Sequence, residues 1–312
     1  MSRFHSPSAF VFYGLFAFLI VATLIARTLI RRGKVGGDTA RNLMDRIWAW
    51  WVMIGVLALI FTLGATAITV FFALCSVAAL REFATITHTR RADHDALAVA
   101  FYVVLPLQYL LIWLHVPIFA TLLIPVYCFL LLPVVTVFKG EVKDFLTRVS
   151  ETQWGLMVCV YCVSHIPAIL QLDIPGYRYS AFTLVAWLIL VVQASDVLQY
   201  VWGKSLGRHL LAPRVSPSKT VEGLLGGMLS ASLLGMALAG ITPFAWWQAG
   251  LVALVVTTFG FFGGLIMSAI KRDRGVKDWG TLVQGHGGIL DRLDSLVFSA
   301  PVFLHILAWG WL

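Results

Sequence analysis

The chain has 312 residues, of which 60% are hydrophobic and only 12% are charged. An average soluble domain carries about 25% charged residues, so this composition excludes a water-soluble fold and indicates a protein that lies in lipid. The net charge of +8 does not indicate nucleic-acid binding, because basic loops on one side of a membrane produce the same excess. We therefore expect membrane lipids, and no nucleic acid, around this chain.

Uncharged apolar runs predict about ten membrane-spanning helices in one all-α, polytopic domain that covers residues 1–312. A run needs about 20 residues to cross the hydrocarbon core. The uncharged stretches 47–80 and 223–270 are each too long for one span, so we divide them at Gly64–Ala67 and at Pro243. The predicted helices are 9–26, 47–63, 67–80, 97–114, 118–138, 153–171, 179–197, 223–240, 244–267 and 295–312.

The basic residues predict how these helices are oriented. Every Lys and Arg except Arg3 and Arg178 falls on one side of the predicted membrane. Cytoplasmic loops are enriched in Lys and Arg, so we expect an integral protein of the cytoplasmic (inner) membrane whose active site faces the cytoplasm. The five basic loops are 27–46, 81–96, 139–152, 198–222 and 268–294.

The first loop with residues suited to chemistry follows Asp196, which ends an otherwise apolar helix. An acid at that position is costly and by default suggests function, although an acid that reaches out of the membrane at a helix end is the alternative. Glycines, lysines and hydroxyl residues follow, among them Ser216, Lys219 and Thr220. This is the inventory of a phosphate site, but a positive loop without a ligand has a similar composition. The spacing excludes a Walker A motif.

The second loop contains two aspartates, Asp291 and Asp294, three residues apart. If this segment is helical, both carboxylates lie on one face. Two close carboxylates repel each other, and Mg²⁺ prefers carboxylates combined with substrate phosphate oxygens. We therefore expect Mg²⁺ here, with Asp278 as a third acid; a solvated, salt-bridged loop is the alternative.

The second loop also holds cations and a glycine-rich turn that suit a triphosphate. The cations are Lys271, Arg272 and Lys277, and the turn contains Gly285, His286, Gly287 and Gly288. Glycines allow backbone N–H groups to approach phosphate oxygens. Because His286 has no other histidine at metal-binding spacing, phosphate contact is its favoured role.

These residues resemble a known motif. The pattern S-x-x-K-R-x-x-x-x-K-D-x-G, starting at Ser268, and then H-G-G-x-x-D-R-x-D, starting at His286, resembles the C-terminal signature of phosphatidate cytidylyltransferases. The upstream S-P-x-K-T-x-E-G, from Ser216 to Gly223, is also similar to that family. The resemblance covers about residues 196–295, and its many fixed positions make it specific.

The resemblance implies an all-helical membrane enzyme, a homodimer, that requires Mg²⁺ in phospholipid biosynthesis. Its partners would be CTP and phosphatidate, and its products CDP-diacylglycerol and pyrophosphate. By this resemblance Asp291 and Asp294 would hold the metal, Lys219, Lys271 and Arg272 would contact phosphates, and Ser216, Thr220 and Ser268 would be supporting donors. Together with the residues singled out above by their own chemistry, the predicted catalytic residues are Asp291, Asp294, Lys271 and Asp278, and the predicted metal ligands are Asp291, Asp294, Asp278 and Asp196. The predicted substrate-binding residues are Ser216, Lys219, Thr220, Ser268, Arg272, Lys277, His286, Gly287 and Gly288.

The chain departs from the family pattern at Gly264, where the family usually has an acid, and at Gln199 and Gln284. These departures indicate a divergent branch. Either Asp278 or Asp196 replaces the absent acid, or one of two metals is lost. Two alternatives stay open, a CTP-dependent lipid kinase of the polyprenol type and a non-catalytic relative.

Overall fold

The structure is a computed structural model that describes residues 7–32, 37–87, 89–281 and 287–310. These residues form ten long helices and one β-hairpin, so the predicted all-α architecture is confirmed. The helices are α1 (Pro7–Arg31), α2 (Gly37–Leu63), α3 (Ala65–Ile86), α4 (Arg91–Trp113), α5 (Pro117–Val137), α6 (Phe145–Gln171), α7 (Ala181–Leu206), α8 (Val221–Ala237), α9 (Trp246–Asp273) and α10 (Leu290–Gly310).

Length and hydropathy identify this protein as polytopic in the membrane. Seven of the described helices, α3 to α7, α9 and α10, are long and apolar enough to span a bilayer, and α1, α2 and α8 contain shorter apolar segments. The outward faces carry large hydrophobic side chains such as Leu229 and Leu233, which are 60% and 63% exposed. Lipid acyl chains surround such apolar faces favourably, whereas their exposure to water would be unfavourable.

Several helices are longer than those predicted from the apolar runs. Helix α6 begins at Phe145 rather than at 153, and α10 begins at Leu290 rather than at 295. The predictions ended each helix at its first charged residue, but backbone hydrogen bonding continues beyond the apolar run and includes charged turns. Segments of π-helix interrupt α4, α5 and α6 at Ala100–Val104, Leu123–Cys128 and Met157–Cys162. Pro125 lies inside the second of these segments, where its missing N–H breaks the regular α-helical pattern.

The four C-terminal helices pack closely around a buried aromatic pair. Trp187 of α7 and Phe303 of α10 are fully buried and stack with their ring centroids 5.3 Å apart. Helices α7 and α8 touch through their backbones, since a methyl group at Gly227 would lie 2.7 Å from the backbone nitrogen of Gln199. Small residues allow this close approach of helices in membranes. Gln199, at which the sequence departs from the family, therefore faces a glycine that accommodates it.

The loop predicted at 198–222 contains a structure that the sequence did not predict. Strands β1 (Leu210–Ala212) and β2 (Ser216–Thr220) form an antiparallel hairpin between α7 and α8. Glu222 fixes the base of this hairpin, because one of its oxygens accepts hydrogen bonds from the backbone N–H groups of Arg208 and His209. The hairpin thereby presents Lys219 to the ends of α7, α9 and α10.

Candidate active site

Charged side chains from four elements meet at one end of the C-terminal helices. Asp196 comes from α7, Lys219 from β2, Lys271 from α9, and Asp291 and Asp294 from α10. All five are partly shielded from solvent, and they interact electrostatically with one another. The two loops that the sequence singled out, more than 50 residues apart, therefore form one site.

Asp291 is held by the chain on every side. Its Oδ1 accepts a hydrogen bond of 2.6 Å from Lys271 Nζ, and this ion pair is largely buried, with side-chain exposures of 5% for Asp291 and 12% for Lys271. Its Oδ2 accepts hydrogen bonds of 2.9 Å from the backbone N–H groups of Trp279 and Gly288. The lysine thus neutralises this carboxylate and connects the ends of α9 and α10.

Asp294 has a different environment, although it lies only one helical turn beyond Asp291. Its Oδ1 accepts a 2.8 Å hydrogen bond from the backbone N–H of Ser295. Its Oδ2 points toward Gly264 of α9, where an added methyl group would lie 3.6 Å from that oxygen and 3.3 Å from Lys219 Nζ. Asp294 therefore keeps an oxygen directed into the space between α9 and the hairpin.

Asp196 adds a second carboxylate to that space. It interacts electrostatically with Asp294, Lys219 and Arg292, and Ser295 also acts on its carboxylate. The carboxylates of α7 and α10 are therefore close enough to influence each other. The functional role of Asp196 stays a prediction.

Lys219 brings a cation to the two carboxylates. Burial lowers the pKa of its ammonium group, and the nearby Asp294 and Asp196 act against this change. The ammonium also lies 4.5 Å from the ring centroid of Phe261, a cation–π contact. The backbone geometry of the hairpin and this aromatic ring together fix where the positive charge sits.

The carboxylates that are available to hold a metal differ from the predicted ligand set, and Mg²⁺ stays a prediction. Within the described ranges, no group of three or more His, Cys, Asp or Glu side chains surrounds a single point. Asp196 and Asp294 form a pair with free coordination capacity, and Mg²⁺ typically binds one or two carboxylates together with substrate phosphates. Asp291 is less available because it already accepts three hydrogen bonds. Asp278 is exposed, and its role as a ligand stays a prediction.

The predicted substrate-binding hydroxyl groups have partners within the chain. Thr220 Oγ1 caps α8 by accepting the backbone N–H of Gly223 at 3.1 Å. Ser268 Oγ donates to the carbonyl of Gly264 at 2.7 Å. Ser216 begins β2 and is half-buried. These hydroxyl groups shape the backbone around the site, and their contact with substrate stays a prediction.

The remaining predicted residues are two cations and a histidine. Arg272 and Lys277 are exposed, and Arg272 Nε donates to the carbonyl of Val215 at 3.4 Å, which brings it to the hairpin. His286 lies outside the described residues, as does Gly285. Phosphate binding by this histidine therefore also stays a prediction.

Gly287 and Gly288 make room for carboxylate oxygens of the chain itself. Gly287 has φ of +81°, and a methyl group there would lie 2.6 Å from Asp291 Oδ2. A methyl group at Gly288 would lie 2.3 Å from Oε2 of Glu82. The sequence assigned these glycines to phosphate approach, whereas the structure gives each of them a packing requirement as well.

Glu82 of α3 is the site residue that sequence reasoning missed. It is 9% exposed, and its two oxygens accept the backbone N–H groups of Ile289 and Leu290, which begin α10. The available signal was an acid within the last turns of an apolar helix, a position at which charge is costly. Because Glu82 falls in the predicted basic loop 81–96, its position near the end of an apolar helix is not apparent from the sequence.

Comparison with known proteins gives the chemical context of this site. The sequence model of a family described as the cytidylyltransferase family matches residues 44–309. An uncharacterized Escherichia coli K12 protein, YnbB, is 38% identical over 302 residues, which cover 95% of this chain and 96% of that protein. Phosphatidate cytidylyltransferases of Staphylococcus saprophyticus and Staphylococcus aureus are each 34% identical, over 165 and 167 residues. Each of these two matches covers 52% of this chain and 63% of the relative.

Proposed function

Because this chain belongs to the cytidylyltransferase family, we propose that it transfers a cytidylyl group from CTP to phosphatidate, giving CDP-diacylglycerol and pyrophosphate. The observation that carries the proposal is the meeting of two lysines with three aspartates at one site. Such a site can hold a polyphosphate, whose charge needs cations, and also a divalent metal, which needs carboxylates. Phosphatidate as the acceptor is supported by the staphylococcal relatives.

The proposed reaction asks for positioning and charge neutralisation rather than for a protein nucleophile. A phosphate oxygen of phosphatidate attacks the α-phosphorus of CTP and forms the new P–O bond. The bond from the α-phosphorus to the oxygen that bridges to the β-phosphorus breaks, and pyrophosphate leaves with the electron pair. Lys219 is placed to neutralise phosphate oxygens, and Lys271 orients Asp291 while it adds positive potential to the site.

Asp196 and Asp294 are the residues that would hold Mg²⁺, with Asp291 and Asp278 as further candidates. When bound, the metal would supply Lewis-acid stabilisation of the charge on the phosphate oxygens and on the leaving pyrophosphate. Gly264 has no side chain between Lys219 Nζ and Asp294 Oδ2, which would lie 3.3 Å and 3.6 Å from an added methyl group, so both groups are left to face substrate phosphate oxygens.

We place this site at the cytoplasmic face of the inner membrane, where CTP is present and where the basic loops lie by the positive-inside rule. Phosphatidate would enter laterally from the inner leaflet, so that its phosphate reaches the site while its acyl chains stay in lipid. The exposed apolar faces of the helices suit such access. A homodimer is also part of this proposal, and crosslinking in native membranes tests it.

An assay of the purified protein in detergent tests the reaction. We would supply CTP labelled at the α-phosphate, Mg²⁺ and phosphatidate, and measure label in the lipid phase and pyrophosphate in the aqueous phase. We expect both products in equal amounts from the wild type. In the Asp294→Asn variant, which keeps the shape of the side chain, we expect turnover to fall by about a hundredfold or more.

The products separate the alternatives. Release of CDP, with transfer of the γ-phosphate to a polyprenol, would identify a kinase and contradict the proposal. Folded protein that binds CTP but labels no lipid phosphate would contradict phosphatidate as the acceptor. Protein that binds no CTP would identify a non-catalytic relative, with Gly264 as the first position to examine.

A further inference from the structure

Glu82 connects the N-terminal half of the chain to the helix that carries Asp291 and Asp294. Its Oε1 accepts the backbone N–H of Ile289 and its Oε2 accepts that of Leu290, both at 2.9 Å. These are the two residues immediately before Asp291. One carboxylate, more than 200 residues away in sequence, thus binds both N–H groups at the start of α10.

The start of α10 needs such an acceptor. The first N–H groups of a helix have no partner within the helix and are usually capped by a nearby Ser, Thr, Asp or Asn. Ile289 precedes α10 and its side chain has no acceptor, while Asp291 directs its carboxylate to Lys271, Trp279 and Gly288. Glu82 therefore supplies the cap, and its negative charge is favourable at the positive end of the helix dipole.

The surroundings of Glu82 are shaped to hold it. Methyl groups at Gly280 and Gly288 would lie 2.8 Å and 2.3 Å from its oxygens, so a side chain at either position would displace the Glu82 carboxylate. In the part of the chain that the structure describes, no lysine or arginine forms an ion pair with Glu82. Its described hydrogen-bond donors are backbone groups of the turn that leads into α10.

The neighbouring residue on α3 supports the same loop. Phe83 stacks on Trp279, with ring centroids 5.5 Å apart and planes 21° from parallel, and Trp279 is 2% exposed. The backbone N–H of Trp279 donates to Asp291 Oδ2. Consecutive residues of α3 therefore hold two of the elements that surround Asp291, namely the loop at Trp279 and the first turn of α10.

We propose that Glu82 is a positioning residue, which fixes the start of α10 and thereby sets where Asp291 and Asp294 stand in the site. Its effect on turnover rests on the proposed function, whereas its effect on the helix start does not. Displacing a supporting hydrogen-bond partner of a site typically costs about tenfold to a hundredfold in activity.

The test uses the full chain in detergent and two measurements. The Glu82→Gln variant keeps the size of the side chain but replaces one acceptor oxygen by an NH₂ group, which cannot accept the N–H that Glu82 binds. We expect faster hydrogen–deuterium exchange in a peptide that contains Ile289 and Leu290, and unchanged exchange in α1 and α2. We also expect kcat to fall about tenfold to a hundredfold, with KM for CTP changed far less.

Two further variants keep the outcome interpretable. Glu82→Asp keeps the charge and both oxygens but shortens the side chain by one methylene, so we expect intermediate exchange and intermediate kcat, and it also serves if Glu82→Gln does not fold. Asp93→Asn is the matched control, because Asp93 is 3% exposed and also accepts a backbone N–H, that of Arg90 at 2.9 Å, but belongs to the first turn of α4. It should lower thermal stability and leave both kcat and exchange at α10 unchanged.

Unchanged exchange at Ile289 and Leu290 in both Glu82 variants would overturn the proposal, as would faster exchange with full kcat. The proposed function can fail separately. If the wild type makes no CDP-lipid but Glu82→Gln still opens the start of α10, the assigned reaction is wrong and the structural role of Glu82 stands.

Discussion

Two ion pairs, one in helices α1–α6 and one in helices α7–α10, lie in different environments. In the first region, Arg90 pairs with Glu141 and Asp144 at the surface, and the three side chains are 32%, 41% and 55% exposed. In the second, the Lys271–Asp291 pair is nearly buried, with exposures of 12% and 5%. An exposed pair adds about 0–1 kcal/mol to stability, whereas a buried pair must stay complete because a lone buried charge is costly. Helices α4 and α6 also hold a buried pair, Asp93 with Arg148, so the contrast concerns these two pairs and what each would lose on mutation.

Glu82 joins the two regions. It belongs to α3, yet it is buried and its bonds are made to the start of α10. The N-terminal half, whose sequence predicted only apolar helices, therefore contributes to the geometry of the site through a single carboxylate. Asp93 and Arg148 are both 3% exposed and form an ion pair with each other. Burial of a charged side chain in α1–α6 is therefore not sufficient to identify a site residue.

The largest effect is expected from breaking the buried pair. Asp291→Asn removes the negative charge beside Lys271 and weakens the bonds to Trp279 and Gly288, so it should cost about 3–5 kcal/mol of stability as well as turnover. Thermal unfolding and the lipid-labelling assay measure the two losses. The double variant Asp291→Asn with Lys271→Gln should regain stability but not activity. A stable but inactive single variant would mean that the ion pair is not needed for folding.

A smaller effect is expected from Lys219→Arg, through its pH dependence. Because burial lowers the pKa of Lys219, its ammonium loses its proton at lower pH than an exposed lysine, and activity should fall as pH rises through that value. Arginine stays charged, so the variant should lose activity about tenfold at neutral pH through its different geometry but keep what remains at high pH. Profiles of kcat/KM between about pH 6 and pH 10 measure the alkaline loss of activity in the wild type and in the variant. Coincident alkaline limbs would exclude Lys219 as the titrating group.

Gly264→Asp sharpens the comparison by adding an acid to the site. Lys219 must shift slightly to admit a side chain at Gly264, since its mobile Nζ would lie 3.3 Å from an added methyl group. A third carboxylate near Asp294 and Asp196 should lower the Mg²⁺ concentration needed for half-maximal activity by about threefold to tenfold. Gly264→Asn, of equal size and without charge, is the control. An equal response of both variants would show that charge at this position does not act on the metal.

The smallest effect is expected from the exposed pair. Glu141→Gln should change stability by less than about 1 kcal/mol and leave kcat unchanged, because Arg90 retains Asp144 as a partner. Thermal unfolding at low and high salt measures it. A loss comparable to that of Asp291→Asn would remove the contrast between the two regions.

The site was predictable to the extent that it depended on local spacing. Asp291 and Asp294 lie on α10, which is the condition under which their spacing puts both carboxylates on one face, although the predicted helix began only at residue 295. The loop containing Lys219 meets them. The partners of each carboxylate were not predictable. Asp291 is neutralised by Lys271, whereas Asp294 faces Gly264 and Lys219. This difference arises because α9 and the hairpin bring different groups to the two carboxylates.

The sequence by itself determined the class of the protein, its family resemblance and the two segments that carry the chemistry. Those properties follow from the lengths of apolar runs and from residue types at fixed spacing, which are one-dimensional. Only the tertiary structure decided the β-hairpin, the pairing of Lys271 with Asp291 and the cap that Glu82 places on α10. These depend on backbone groups and side chains brought together from distant helices, so that a carboxylate in a segment predicted as a loop becomes the partner of Leu290, 208 residues away.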